Sequence, residues 1–233
     1  MWMCIHEAGH AMGRWYAGLP FETVFAGGPD EGRPVSGGMR MAAAVTGFDL
    51  VAPRADWVAL AERGDPGALA RGRMEAEMEL FAAYAGPFAE ARYPRSYRIR
   101  IAGEPPIRRR ERRDVNMILH AGGGEEDWSL IAMDAADWPD GIAMAARARR
   151  LADAFVRGRV AWGAIREVAR LLTVGLRLGW DDVEAVAGRH FGRPSPACRD
   201  WMAHWPPLAL AVRGGFLPPE GGSGESSKLE LMG

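Results

Sequence analysis

The chain has 233 residues, 29 Lys+Arg against 30 Asp+Glu, a formal net charge of −1 and 48% hydrophobic content. That length suits one domain with appendages, and the composition excludes wholesale disorder. No run approaches the ~18 apolar residues of a spanning helix. Near-zero charge gives no footing for bulk nucleic-acid binding. Cys4 and Cys198 are the only cysteines, so a disulfide framework is excluded. With no basic n-region at its start, the chain reads as cytoplasmic, with no membrane and no nucleic-acid partner.

From Trp2 to about Ala17 the spacing predicts a helix, with Ile5, Gly9, Met12 and Trp15-Tyr16 at three- and four-residue steps. Gly18 and then Pro20 end it. Phe21–Phe25 alternates and is β-branched, a strand candidate, and a second short strand is expected within Gly38–Val45. A short helix is expected over Ala55–Arg63, and a long one over 66–92, where Pro87 should kink or interrupt it. Tyr97–Ile101 alternates weakly, like an edge strand, and the Arg108–Arg113 charge run reads as a solvated loop. Short helical stretches follow from Asp114 to His120 and from Glu125, separated by Gly122-Gly123-Gly124. Helices are then expected over 140–157, 160–178 and 181–190, the last opening on an Asp181/Glu184 capping box. Residues 193–213 read as a Pro- and Trp-rich extension and 214–233 as a disordered tail.

The chemistry lies in His6-Glu7-Ala8-Gly9-His10, an H-E-x-x-H on the first helix. Positions four apart differ by about 40° around a helix axis, so both imidazoles project from one face and can grip one Zn²⁺. Glu7, beside the metal's open position, can take a proton from the attacking water and pass it to the leaving amine. Small Ala8 and Gly9 let a second helix approach that face closely. A catalytic zinc needs a third protein ligand. Glu75, Glu77, Glu79 and Glu90 are candidates on the long helix, and Asp114 and Asp127 are candidates at later helix starts.

The segment Cys4-Ile5-His6-Glu7-Ala8-Gly9-His10-Ala11 resembles the HEAGHA core of the FtsH-type peptidase domain, the Asp-zincin protease of a membrane-bound AAA+ enzyme. Tyr84-Ala85-Gly86-Pro87-Phe88-Ala89-Glu90 is similar to that family's L-A-G-x-x-A-E helix, with Pro87 a departure. Gly122–Trp128 is similar, more loosely, to its G-A-x-N-D-L segment, and Trp162–Leu172 to the closing helices of stand-alone bacterial and phage relatives. The resemblance spans roughly residues 1–190. It implies a zinc cofactor held by His6, His10 and Asp127, with Asp114 the rival third ligand. It also implies Glu7 as catalytic base and Glu90 as a residue that orients a ligand. No G-x-x-x-x-G-K-[ST] occurs and Lys228 is the only lysine, so no AAA+ module is expected. His6 lies only five residues from the start, so either this start is downstream of the true one or the zinc helix lacks its usual upstream flank.

The expectation is a mostly helical α+β, zincin-like domain over residues 1–192, with a small sheet next to the H-E-x-x-H helix. Its expected activity is zinc-dependent, ATP-independent endopeptidase cleavage of flexible or unfolded polypeptide substrates. The alternative is a catalytically inactive, peptidase-like module that binds metal or a protein partner.

Overall fold

The computed structural model describes residues 2–26, 43–46, 54–93, 95–99, 107–111, 114–120, 131–132, 135–175 and 177–195. They form a mostly helical α+β arrangement with small antiparallel sheets. In chain order the elements are α1 (Trp2–Ala17), β1 (Thr23–Ala26), β2 (Ala43–Thr46), α2 (Arg54–Glu62), α3 (Ala68–Arg92), β3 (Arg95–Ile99) and β4 (Ile107–Glu111). These are followed by α4 (Val115–His120), α5 (Gly141–Arg157), α6 (Arg159–Gly175), β5 (Arg177–Gly179) and α7 (Trp180–Phe191). Asp127, the Gly122–Trp128 segment and residues 196–233 lie outside the described residues.

α1 is the central element, packed on α3, α6 and the sheet. Ile5, Ala8, Met12, Trp15 and Tyr16 are almost fully buried. Each large apolar side chain among them removes enough surface from water to contribute about 1.5–3 kcal/mol. Around Tyr16 the core is aromatic, with ring centroids 5.0 Å from Phe155 and 6.1 Å from Phe81. Burial also pushes the Tyr16 hydroxyl well above its ordinary pKa. Gly18, at φ 72°, supplies the left-handed residue that stops α1.

The seating of α1 on α3 depends on small residues. A Cβ on Gly9 would lie 2.6 Å from the Ala85 carbonyl oxygen and 2.8 Å from both Ala89 Cβ and Gly86 Cα. One on Gly13, a turn later, would lie 2.9 Å from Ala85 Cβ. The backbones therefore approach closely along a stripe of glycine on α1 and alanine and glycine on α3.

β1 is the middle strand of a three-stranded sheet ordered β2-β1-β5 and antiparallel throughout. Val24 faces Val45 on one side and Leu178 on the other. The sheet lies against α1, as expected. β5 was not foreseen, because residues 177–178 read as the end of a helix. The helix in fact stops at Gly175, and three residues pair with β1 before α7 begins. Three residues are too few to show a strand period, and the pairing with Thr23–Phe25 is set by tertiary context.

α3 runs through Pro87 without interruption. Both halves pack on neighbours, the stretch from Ala82 to Ala89 against α1 and other turns against α5, and this holds the helix across the missing N–H. The Arg108–Arg113 run is not a loop over its described part. Residues 107–111 form β4, paired with β3 so that Arg98 faces Arg108 and Tyr97 faces Arg109. The N-terminal box of α7 also differs from expectation: the Gly179 N–H donates to Asp182 Oδ2 at 2.9 Å. Glu184 instead accepts from Trp15 Nε1 and from the Ser195 N–H, tying α7 to α1.

Between α3 and α5, Glu77, 2% exposed, accepts from Arg147 Nε at 2.9 Å. Nearby, Asp140 is held by Arg73, whose hydrogen bond keeps its carboxyl below the usual carboxylate range.

Gly9→Ala tests the close seating. Alanine gains about 1 kcal/mol in helix propensity, but overpacking typically costs about 1–3 kcal/mol and more where backbone is struck. The net expectation is a lower thermal midpoint. Gly175→Ala, where a Cβ would meet nothing within 4 Å, should leave the midpoint unchanged or raise it.

Candidate metal centre

The stripe His6, His10 and Arg14, spaced four residues apart on α1, runs antiparallel to α3, and each member finds a partner there. His6 Nδ1 bonds Glu90 Oε2 at 3.0 Å, His10 Nδ1 bonds the Ala82 carbonyl oxygen at 2.9 Å, and Arg14 bonds Glu79. His6 is 6% exposed, Glu7 7% and Glu90 3%. Burial on this scale requires that polar groups be partnered.

These contacts place a proton on each Nδ1. A carbonyl oxygen only accepts, so His10 Nδ1 carries the proton. A carboxylate likewise takes the Nδ1–H of His6. In the neutral rings the lone pairs are then on the Nε2 atoms, and these lie 3.0 Å apart. The ring centroids are 4.7 Å apart with planes at 71°, edge to face. Two lone pairs at that distance repel unless a proton or a metal cation lies between them.

The donor set fits zinc. Zn–N bonds of about 2.0–2.1 Å at tetrahedral angles place two nitrogens roughly 3.3 Å apart, close to the separation here. Neutral imidazole is zinc's usual nitrogen ligand, and a second ring nitrogen donating to a carboxylate or carbonyl is the usual support for it. Gly86 makes the room: a Cβ there would lie 2.2 Å from His10 Nε2.

Of the sequence-derived site residues, His6, Glu7 and His10 share α1, and α3 brings Glu90 to His6. Asp127 lies outside the described residues. Asp114 is exposed at the start of α4, where its Oδ1 accepts the Asn116 N–H at 2.8 Å. Among the described residues no set of three His, Cys, Asp or Glu side chains converges on one point. Glu77 and Glu79, also considered as ligands, are engaged by Arg147 and Arg14. Cys4 is buried.

Two contacts were not read from the sequence. Arg14 continues the four-residue spacing of the histidines, and that periodicity is the signal that could have found it. His190 bonds Glu167 Oε2 through Nε2 at 2.8 Å, and its ring lies against Gly163. Arg189 joins the same carboxylate, and these hydrogen bonds hold Glu167 below its ordinary pKa.

No protein-family model, curated protein sequence or solved structure matches the chain.

Gly86→Ala tests the geometry. The new methyl displaces the His10 ring, so the Nε2 resonances of His6 and His10 should shift in ¹⁵N-histidine spectra while far-UV circular dichroism keeps its helical form. Unchanged histidine resonances would contradict the close placement of His10 over Gly86.

Proposed function

We propose that the chain is a zinc-dependent endopeptidase of zincin-like fold that hydrolyses peptide bonds in flexible or unfolded polypeptides without ATP. One observation carries this reading: two imidazoles on one helix whose outer nitrogens are anchored by Glu90 and Ala82 and whose inner nitrogens converge at 3.0 Å. The adjacent Glu7 and the resemblance of the α1 and α3 segments to the FtsH-type peptidase support it further.

In this reading His6 and His10 hold the ion, and Asp127 is the third ligand. When bound, zinc supplies a Lewis acid that polarises the scissile carbonyl and lowers the pKa of a coordinated water from ~15.7 toward ~7. Glu7 takes the proton of the attacking water and delivers it to the leaving amine. Glu90 holds the Nδ1–H of His6, which fixes the ring's tautomer and raises its basicity as a ligand. The Ala82 carbonyl does the same for His10. The packed glycine–alanine seam keeps this geometry rigid.

The wild-type chain is expected to cleave unstructured casein in the absence of ATP. Glu7→Gln should retain zinc and thermal midpoint while kcat/KM falls by roughly 10²–10⁴, the usual contribution of a general base. Full activity in Glu7→Gln would remove Glu7 from the chemistry. A zinc-loaded wild type that cleaves no unfolded substrate would favour the inactive, peptidase-like module.

A further inference from the structure

On the face of α3 turned away from the histidines, the chain forms a cleft of about 700 Å³ between α3, α4 and α5. Phe88 and Arg92 lie two residues to either side of Glu90, about 200° around the helix from it. The cleft therefore lies across the width of α3 from the imidazoles.

Its charge is lopsided. Arg92, Arg149, Arg150 and Arg157 line it, against Asp114 and Asp153. The two acids are already engaged: Asp153 pairs with Arg157 at 2.9 Å, and Asp114 accepts the Asn116 N–H. Arg92 donates to the Val156 carbonyl and stacks 4.5 Å over Trp162, while Arg149 donates to the Asn116 side-chain amide at 2.8 Å. Among the described residues, Arg92, Arg149 and Arg150 thus have no carboxylate partner. Burial and then the nearby charge of Arg157 hold the Arg92 guanidinium below its ordinary pKa. Like charges are crowded here beyond what Asp114 and Asp153 offset.

We infer that this cleft is an exosite for a carboxylate-bearing segment of the polypeptide substrate. The guanidinium forks suit carboxylate oxygens. Phe88, Val115 and Val156 between them suit the apolar side chains of the same segment. The two aspartates on the wall leave an excess of only two positive charges, which matches one or two carboxylates. The inference rests on the peptidase reading, since it makes the cleft a holding point for a chain cleaved on the other side of α3.

The test uses the full-length Glu7→Gln chain, so that no turnover is needed, and fluorescence anisotropy of two labelled peptides. One carries two glutamates among leucines and the other has glutamine at both positions. The glutamate peptide should bind about tenfold tighter, the effect expected of one charge-assisted hydrogen bond. Arg149→Ala/Arg150→Ala should abolish the difference. Arg150→Glu, at an exposed position where folding is not at risk, should do the same. Equal binding of the two peptides, or an undiminished preference in both cleft variants, would overturn the exosite. Zinc content, measured on the same samples, reports separately on the metal centre. Its absence with the peptide preference intact would count against the peptidase reading and not against the cleft's affinity for carboxylates.

Discussion

The close seating of α1 on α3 is the constraint from which the candidate site follows. Gly9 and Gly13 leave no side chain between the helices, and Ala82, Ala85, Gly86 and Ala89 answer them from the other side. At that separation a histidine on α1 reaches a backbone carbonyl on α3. With a larger residue at Gly9, the Ala82 oxygen would move away from His10 and Glu90 from His6. The fold places a close backbone contact directly behind the two imidazoles.

That contact turns a five-residue motif into a polar arrangement with one unresolved feature. Both outer nitrogens are satisfied by acceptors, so each neutral ring directs its remaining lone pair at the other. A cation between the rings would be held by both Nε2 lone pairs. A proton would complete the pair with one hydrogen bond. A divalent ion completes it as a ligand set and gives Glu7 a purpose. The metal reading therefore accounts for more of the local sequence: the two histidines, the glutamate after the first of them, the small residues beside them and the buried glutamate on α3.

Much of this was legible in the sequence, because helices announce themselves by period and by their stops. The bounds of α1 followed from its apolar steps and from Gly18, and the approach of a second helix followed from Ala8 and Gly9. Glu90 was legible as a residue that could orient a ligand, although nothing local distinguished it from a solvated glutamate. β5 was not legible, since its three residues exist as a strand only because Thr23–Phe25 lies beside them. The cationic run at 108–113 read as solvated loop because charge density masks a strand signal, and only the partner strand at 95–99 gives residues 107–111 their register. Pro87 was read as a kink or an interruption, and the helix continues through it because α3 is packed on both sides of it. Asp127 was proposed as the third ligand only through family resemblance, because an aspartate expected at a helix start has an ordinary capping role as well.

The most direct measurement is calorimetric titration of zinc into chelator-stripped protein, run in parallel on wild type and on His10→Ala. The account predicts one tightly bound equivalent in the wild type and none in the variant. Wild-type protein that takes up no zinc, or a variant that takes up as much, would show that the facing imidazoles share a proton and hold no metal.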